Sequence, residues 1–295
     1  MILVAGATGV LGQAVCRRLV ERGGTVFGMV REASDPAAVA ALEAMGVTPV
    51  EAELADPESL AEACSGCDAV VSSITAMGRQ DDADAIERVD RDGQIALVGA
   101  AADEGVERFV YISYSGAIGK DDPLTLAKRA VERTLKHSGM TWTVLRPSYF
   151  MESWLGTPPG TNTASGTLII YGDGTKPISW ISLEDVAEFA AAAVDSEEAR
   201  NATLELGGPE ALSPLEASAV IERVTGRRML VEHVSEQALR AEVAAARSAQ
   251  QQSFAALKLA YLRGNAIPMD DMAERFGVEL TPLAAWAAGA REDAA

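Results

Sequence analysis

A glycine-rich string directly follows the first apolar run of the chain. Gly6, Gly9 and Gly12 come after the run Ile2–Ala5 and lead into a stretch with helical periodicity. Between a strand and a helix, such glycines allow a tight turn, let backbone N–H groups approach a pyrophosphate, and let the helix pack closely on the strand. The spacing alone is weak evidence, since a glycine turn need not bind anything. Strand, glycines and helix nevertheless occur in the order that a dinucleotide site requires, so the sequence predicts such a loop.

The end of the second apolar run carries a residue that would select the dinucleotide. Arg31 follows Thr25–Val30, where proteins that bind NAD usually have an acidic residue on the ribose hydroxyls. A guanidinium at this point pairs with the 2′-phosphate of NADP. Glu32 comes next and weakens the argument, and the alternative is a solvated surface arginine. We expect NADP(H) as the cofactor in preference to NAD(H).

Six short apolar runs predict the strands that position these groups. Most are separated by stretches with 3.6-residue periodicity, which is typical of a parallel sheet covered by helices on both faces. We therefore predict an α/β fold with a doubly wound parallel sheet of the Rossmann type. The runs are Ile2–Ala5, Thr25–Val30, Val47–Val50, Ala69–Ile74, Arg108–Ile112 and Thr141–Leu145.

The pattern becomes looser in the second half. Apolar periodicity predicts helices at Leu183–Val194, Ser213–Thr225, 235–264 and Met269–Phe276, and a strand at Thr203–Leu206. No flexible tether separates the two halves. We predict a dinucleotide-binding domain over residues 1–150, whose sheet later segments complete, and a smaller, mostly helical substrate-binding lobe over 151–295.

The acidic composition limits the classes of partner. The 295 residues include 43 Asp and Glu against 25 Lys and Arg, a formal net charge of −18. This balance disfavours nucleic acid and anionic membrane surfaces, which are bound through Lys and Arg. No apolar run reaches the roughly 18 residues of a membrane span, and three cysteines are too few for a disulfide framework. Because the first strand begins at Ile2 with no basic segment before it, we expect no signal peptide. We expect a cytoplasmic protein with a small-molecule substrate; the oligomeric state is open.

Several segments together resemble the NmrA-like, atypical branch of the short-chain dehydrogenase/reductase superfamily. The resemblance extends over roughly residues 1–230 and is thin beyond Ser235. It rests on the opening 2–31, the fifth-strand segment 105–113, the sixth-strand segment 138–152, and the shorter matches at 180–187 and 206–209. It implies NAD(P) binding on a Rossmann sheet.

The resemblance also implies a cofactor role for individual residues. The pyrophosphate would lie on the glycine loop, the adenosine-ribose phosphate on an arginine, the adenine beside the third strand, the ribose path along the fourth, and the nicotinamide beside the sixth. In that order the residues are Gly6, Thr8, Gly9, Val10, Leu11 and Gly12; Arg31; Glu53 and Leu54; Ser72, Ser73 and Ile74; and Pro147, Tyr149 and Phe150.

The catalytic set implied by the resemblance is incomplete. Typical members of the superfamily use a tyrosine as acid or base, a lysine four residues later that lowers the tyrosine pKa and holds the ribose, and a serine at the end of the fifth strand. Ser113 and Lys128 match the serine and the lysine, but Leu124 stands where the tyrosine would be. Tyr114 and Tyr149 are candidate substitute acids, although packing is the favoured explanation for each, at a strand end for Tyr114 and in a pocket wall for Tyr149.

An apolar group of residues follows the sixth strand. If the resemblance holds, Tyr149, Met151, Trp154 and Trp180, together with Phe150, border the mouth between the lobes. Aromatic and methionine side chains at such a place favour a flat or apolar substrate. Packing between the lobes would explain the same residues equally well.

Other chemistry-bearing patterns are weaker. Cys64 and Cys67 form a C-x-x-C pair without the second pair that a zinc site needs, which leaves only a redox role. The alternating charges between residues 79 and 91, which include Asp90, predict a solvated helix face.

The loss of the tyrosine determines the expected function. Without that phenol, carbonyl–alcohol interconversion lacks its usual proton carrier. We expect an NADP(H)-dependent reductase that delivers hydride to an apolar, conjugated or aromatic molecule such as a quinone, enone or imine. The alternatives are a non-catalytic NADP(H)-sensing regulator that acts through a protein partner, and a non-redox cyclase or isomerase on the same fold.

Overall fold

The first half of the chain alternates strands and helices. This computed structural model describes residues 1–78, 84–156, 161–162 and 166–292. The elements are β1 (Ile2–Ala5), α1 (Val10–Glu21), β2 (Val26–Val30), α2 (Pro36–Ala44), β3 (Thr48–Glu51), α3 (Pro57–Cys64), β4 (Ala69–Ser72), α4 (Gln94–Asp103), β5 (Arg108–Ile112), α5 (Pro123–Lys136) and β6 (Thr141–Pro147). A π-helical segment, Ile86–Gly93, leads directly into α4.

The second half mixes helices with short strands. Its elements are a π-helical turn (Glu152–Gly156), β7 (Thr161–Asn162), β8 (Thr167–Tyr171), β9 (Ile178–Ser179), α6 (Leu183–Asp195), a 3₁₀ turn (Glu197–Ala199), β10 (Ala202–Leu206), β11 (Ala211–Leu212), α7 (Pro214–Thr225), β12 (Leu230–Val234), α8 (Glu236–Ala245), α9 (Ala249–Tyr261), α10 (Asp270–Phe276) and α11 (Leu283–Glu292).

The main sheet confirms the predicted fold class. Seven parallel strands lie in the order β10-β6-β5-β4-β1-β2-β3, with helices on both faces. The order reverses at β1, which pairs with β4 on one side and β2 on the other. Ligands of doubly wound sheets bind at such a switch point, outside the carboxyl ends of the strands. The glycine loop after β1 lies there.

Part of the second half returns to this sheet. β10 pairs with β6 in parallel, with Leu204 opposite Leu145. Helix α6 covers the same face as α1, and Arg17 and Arg18 of α1 form ion pairs with Glu184 of α6. The sheet is complete only when residues 183–206 are included.

The C-terminal lobe contains more strand than its sequence pattern indicates. β8 pairs with β12 in parallel and with β7 antiparallel, which gives a small sheet of three strands. Leu168, Ile170 and Tyr171 of β8 are buried in the lobe core. The predicted helix over 235–264 is interrupted, since α8 ends at Ala245 and Ser248 caps a new helix, α9.

The structure was also searched for membrane-spanning helices and for metal sites. Within the described residues, no helix combines the length and apolar character needed to cross a bilayer. The same residues contain no group of three or more His, Cys, Asp and Glu arranged to hold a metal ion.

Candidate cofactor site

Two glycines determine the shape of the loop between β1 and α1. Gly6 has φ +87°, a left-handed conformation that glycine adopts without strain. A Cβ on Gly12 would overlap the carbonyl oxygen of Gly6 and lie 2.7 Å from its carbonyl carbon. Helix α1 can therefore pack this closely on the loop only because residue 12 has no side chain.

The N-terminus of α1 is open to an anion. Gly9 is the N-cap and offers no side chain to the first-turn N–H groups, and the first turn contains no acidic residue. By contrast, the carboxylates of Asp35, Asp56 and Asp122 cap α2, α3 and α5. Uncapped N–H groups at a helix start bind phosphate well because the helix dipole adds to their hydrogen bonds. A pyrophosphate fits here, and 74 % of the Val10 side chain is exposed beside it.

Arg31 lies at the carboxyl end of β2 with its side chain exposed. Its backbone N–H donates to Ser34 Oγ at 2.9 Å, which fixes the turn without using the guanidinium. None of the ion pairs found among the described residues involves Arg31. Its charge is therefore free to meet a phosphate.

The residues predicted to border the adenosine lie at the ends of β3 and β4. Glu53 is exposed and Leu54 is half-buried against Gly93. Ser73 lies against the glycine turn, because a Cβ on Gly6 would come within 2.8 Å of its Oγ and 3.1 Å of the Ile74 nitrogen. Ser72 is fully buried and donates to Gln94 Oε1 at 2.8 Å. Ser73 and Ile74 thus flank the loop, whereas the Ser72 hydroxyl is engaged in the core.

Lys128 of α5 lies under the carboxyl end of β5. Its Nζ is 3.4 Å from the carbonyl oxygen of Ile112, 3.8 Å from Asp90 Oδ1 and 5.3 Å from the centroid of the Tyr111 ring. Burial lowers the pKa of Lys128, and the Asp90 carboxylate opposes that shift. A buried ammonium with spare donors suits a ribose hydroxyl.

Asp90 corrects one prediction. The charged stretch was expected to form a solvated face, yet Asp90 is fully buried and its Oδ2 accepts from the Ala76 N–H at 2.9 Å. Residues 79–83 of that stretch lie outside the described residues; Asp84 and Glu87 are exposed as predicted. The π-helical geometry of Ile86–Gly93 changes which positions face inward, and a 3.6-residue pattern does not anticipate that.

Ser113 faces a buried ionic network. Its Oγ donates to Glu132 Oε1 at 2.7 Å and accepts from Arg129 Nη1 at 2.9 Å. Glu132 also accepts from Arg146, at 2.6 Å for the shorter contact. The Ser113 hydroxyl therefore already donates one hydrogen bond and accepts another within the protein.

Tyr114 lies close to Leu124, the residue at the usual tyrosine position. Leu124 is buried and packs with Ile86 and Ala127, and the Tyr114 ring borders the same small cluster. The Tyr114 hydroxyl hydrogen-bonds to Thr125, and its pKa is raised, chiefly by burial.

The predicted substrate residues lie in the core of the C-terminal lobe. Tyr149, Met151, Trp154 and Trp180 are all buried. The Tyr149 ring centroid is 4.8 Å from that of Trp154, its hydroxyl donates to the Leu257 carbonyl at 3.2 Å, and burial raises its pKa. These contacts match the packing alternative, and contact with a substrate stays a prediction.

The residues beside β6 have a partner that the sequence pattern did not reveal. Asn265, buried between α9 and α10, donates from Nδ2 to Ser148 Oγ at 2.9 Å and accepts from Ser115 Oγ at 3.4 Å. Pro147 accepts from the Ser115 N–H at 2.9 Å, and Phe150 bridges to Ile181. A single asparagine in the segment between two helices has no sequence signal for this role.

The cysteines show no reactive environment. Cys16, Cys64 and Cys67 are free and buried, and burial raises the pKa of Cys16 and of Cys64 to about 12. A thiol with such a pKa is protonated at neutral pH and is a poor nucleophile.

Two curated relatives align with most of the chain. The chain is 32% identical over 242 residues to the (4-alkanoyl-5-oxo-2,5-dihydrofuran-3-yl)methyl phosphate reductase of Streptomyces griseus, with 81% of this chain and 79% of that protein covered. It is 30% identical over 240 residues to the photosystem II assembly factor Ycf39 of Synechocystis, with 81% and 72% covered.

A solved structure and a family model also match this chain. The NADPH-dependent quinone oxidoreductase QOR2 of Escherichia coli superimposes with a TM-score of 0.78 at 22% identity, over 98% of this chain and 99% of that one, which shows a shared fold. Residues 6–197 match the family model described as NAD(P)H-binding. The chain therefore belongs to the NAD(P)H-binding family, in agreement with the resemblance of its sequence to the NmrA-like, atypical short-chain dehydrogenases/reductases.

Proposed function

We propose that the protein is an NADPH-dependent reductase that transfers hydride to an apolar small molecule with a conjugated or aromatic acceptor, such as a quinone, enone or imine. The observation that carries this proposal is that the residues at the usual acid/base positions cannot act as a strong acid. Leu124 replaces the tyrosine, and the Ser113 hydroxyl is bound within the Glu132 network. An acceptor that can take hydride without a strong acid beside it suits such a site better than a simple ketone.

The cofactor-binding residues have separate tasks. The first-turn N–H groups of α1 would hold the pyrophosphate, Arg31 the 2′-phosphate, and Lys128 the nicotinamide ribose, while Pro147 and Phe150 would flank the ring. Bound NADPH supplies the hydride. The net charge of −18 opposes an anionic ligand at long range, so affinity must come from these short contacts.

The proton has to come from a weak acid or from water. We favour Tyr114 over Tyr149, because Tyr114 borders Leu124 whereas the Tyr149 hydroxyl is committed to the Leu257 carbonyl in the lobe core. A raised pKa keeps the phenol protonated, so it can protonate a strongly basic product anion but contributes little to activating a substrate.

The names of similar proteins are consistent with this proposal. The Streptomyces griseus relative is named for reduction of a compound whose 5-oxo-2,5-dihydrofuran ring has a C=C bond conjugated with a carbonyl, and QOR2 is named for quinones. Both names describe conjugated acceptors.

Turnover can be measured directly. We expect the purified protein to oxidise NADPH, followed at the absorbance band of the reduced nicotinamide, with quinones, enones or imines in preference to saturated ketones. The Tyr114→Phe variant should slow protonation-dependent turnover without weakening NADPH binding. Absence of NADPH oxidation across such a panel would remove the support for catalysis.

Arg31 should determine the choice between the two nicotinamide cofactors. We expect Arg31→Ala to raise the Kd for NADPH by roughly ten- to a hundredfold, the worth of about 1.5–3 kcal/mol for a charged hydrogen bond, and to leave the Kd for NADH unchanged. The Arg31–Ser34 turn survives, because its hydrogen bond uses the backbone. Calorimetric titration of both cofactors measures this. Arg227→Ala, which removes an exposed charge elsewhere, is the control; equal losses for both cofactors would contradict the role.

One comparison favours a second candidate function. The Synechocystis relative is named an assembly factor rather than an enzyme. We keep the alternative of an NADP(H)-binding regulator that acts through a protein partner. A regulator should bind oxidised and reduced cofactor with different affinities and show no turnover, whereas a reductase shows turnover.

A further inference from the structure

Asp90 and Lys128 form a buried pair of opposite charges. The side chain of Asp90 has no exposed surface and that of Lys128 is 7% exposed. They come from different elements, the π-helical segment Ile86–Gly93 and helix α5. Removing two charges from water is costly unless their partners compensate, so their arrangement needs a reason.

Asp90 is fixed in place by one oxygen and leaves the other available. Oδ2 accepts from the Ala76 N–H at 2.9 Å, in the loop that follows β4. Oδ1 has no hydrogen-bond partner among the described residues and is 3.8 Å from Lys128 Nζ, too far for a direct hydrogen bond.

Lys128 likewise has unused capacity. Its ammonium has three donors, and the one acceptor at hydrogen-bond distance in the described structure is the Ile112 carbonyl, at 3.4 Å. The Tyr111 hydroxyl, in the same buried region, also has no partner among the described residues. Three buried polar groups are therefore incompletely bonded next to the predicted ribose position.

The charges around Lys128 show why Asp90 matters. The titratable or charged groups facing it are Asp90 on the π-helical segment, Tyr111 on β5, and Arg129 and Glu132 on α5. Arg129 and Glu132 oppose each other and are bonded to each other. Asp90 is left as the group that balances the ammonium.

We propose that Asp90 is a positioning residue of the cofactor site, whose carboxylate holds the Lys128 ammonium charged and oriented toward the nicotinamide ribose. Asp90 does not touch the reacting atoms in this role, because it acts through Lys128. The inference rests on the proposed use of Lys128 as the ribose ligand.

The test compares the Kd for NADPH, its pH profile and the melting temperature across four variants. These are Asp90→Asn, Lys128→Met, the double variant Asp90→Asn/Lys128→Met, and the control Glu87→Gln. Glu87 lies on the same π-helical segment, but it is exposed and paired with Arg91. Like Asp90→Asn, Glu87→Gln removes one negative charge, but it leaves the buried pair of Asp90 and Lys128 in place.

We expect Asp90→Asn to raise the Kd for NADPH by up to roughly tenfold at a pH above the Lys128 pKa of both proteins, as a fall of one unit in that pKa would cause. Without the carboxylate, the lysine loses its proton at lower pH, so the alkaline loss of NADPH binding should begin at lower pH than in the unaltered protein. Glu87→Gln should match the unaltered protein. In the Lys128→Met background, Asp90→Asn should cause no further loss, since its effect passes through the lysine.

Three results would overturn the inference. In the first, the Asp90→Asn variant folds and binds NADPH with the same Kd and pH profile as the unaltered protein. Because the unaltered protein binds NADPH in that case, the proposed function is not contradicted. The second is equal, additive losses in both backgrounds, which indicate a purely structural role. The third is failure of the unaltered protein to bind NADPH, which overturns the proposed function as well.

A measurement on the unaltered protein covers the case in which Asp90→Asn does not fold. If Asp90 keeps Lys128 charged in the free protein, NADPH binding near pH 8 should take up no proton on the lysine. Calorimetry in two buffers of different ionisation enthalpy counts the protons. Uptake of about one proton per NADPH would show that the free lysine is neutral and would overturn the proposal.

Discussion

Replacing Glu132 by alanine is expected to lower the free energy of unfolding by about 3–5 kcal/mol, the usual cost of removing one partner from a buried ionic network. Glu132 is 3% exposed and accepts from Ser113, Arg129 and Arg146. The variant leaves two arginines in a partly buried site without the carboxylate that separates their charges. Denaturant unfolding followed by circular dichroism measures the loss.

The same carboxylate should make stability depend on pH in a defined direction. Burial alone raises the pKa of Glu132, but hydrogen bonds from Arg146 and Ser113 and the two arginine charges outweigh it, and the net pKa lies below the ordinary 4.5. A depressed folded-state pKa contributes stability above pH 4.5 that is lost as the pH falls through the lower, folded-state value. We expect Glu132→Gln to lack this part of the acid sensitivity.

An exposed ion pair provides the control. Glu236 and Arg240 lie one helical turn apart on α8 with most of their side chains in solvent, and Glu236→Gln should cost less than about 0.5 kcal/mol. If Glu132→Ala costs less than about 1 kcal/mol, the network does not hold β5, β6 and α5 together in the way described.

Gly12→Ala is expected to have the largest effect on the glycine loop. Its Cβ would overlap the Gly6 carbonyl, and the atoms it meets are backbone, which cannot rotate away. We expect the free energy of unfolding to fall by about 3 kcal/mol or more, which is at or beyond the upper end of the usual cost of overpacking. Because α1 must shift, the Kd for NADPH should rise at least about a hundredfold. Thermal unfolding and cofactor titration on the same preparation report both effects.

Substitutions at two other glycines distinguish an effect on packing from an effect on NADPH binding. A Cβ on Gly9 would meet only the Gly6 carbonyl oxygen at 3.4 Å, an ordinary contact, so Gly9→Ala should fold normally yet bind NADPH more weakly where the pyrophosphate approaches. Gly99, on the exposed side of α4, has nothing within 4 Å, and Gly99→Ala should stabilise slightly and bind normally. Stable Gly12→Ala protein with unaltered affinity would contradict the close-packing argument.

The glycine loop and the main sheet were predictable because their signals are local. Strand, glycines and helix follow one another within residues 2–21, and each strand of the first half is an apolar run bounded by helical periodicity. The return of β10 to the sheet was also indicated, since Thr203–Leu206 is a strand-like run after the predicted helix Leu183–Val194.

The surroundings of Lys128 were not predictable, because they depend on contacts between distant segments. Asp90 looked solvated by its charge pattern, and only the π-helical geometry turns it inward. Ser113 matches a motif, yet a glutamate 19 residues later captures its hydroxyl. The β8–β12 pair joins residues about sixty positions apart, a separation over which periodicity carries no information.

The path of the chain between its two parts has a consequence for how the protein can be divided. After β6 the chain builds β8 and β9 of the lobe, returns for α6 and β10, and leaves again for β12. A fragment that ended at residue 150 would expose β6 as a sheet edge, with its ladder to β10 unmade. The two parts are interlaced rather than joined end to end, so no single cut in the chain separates them into two intact units.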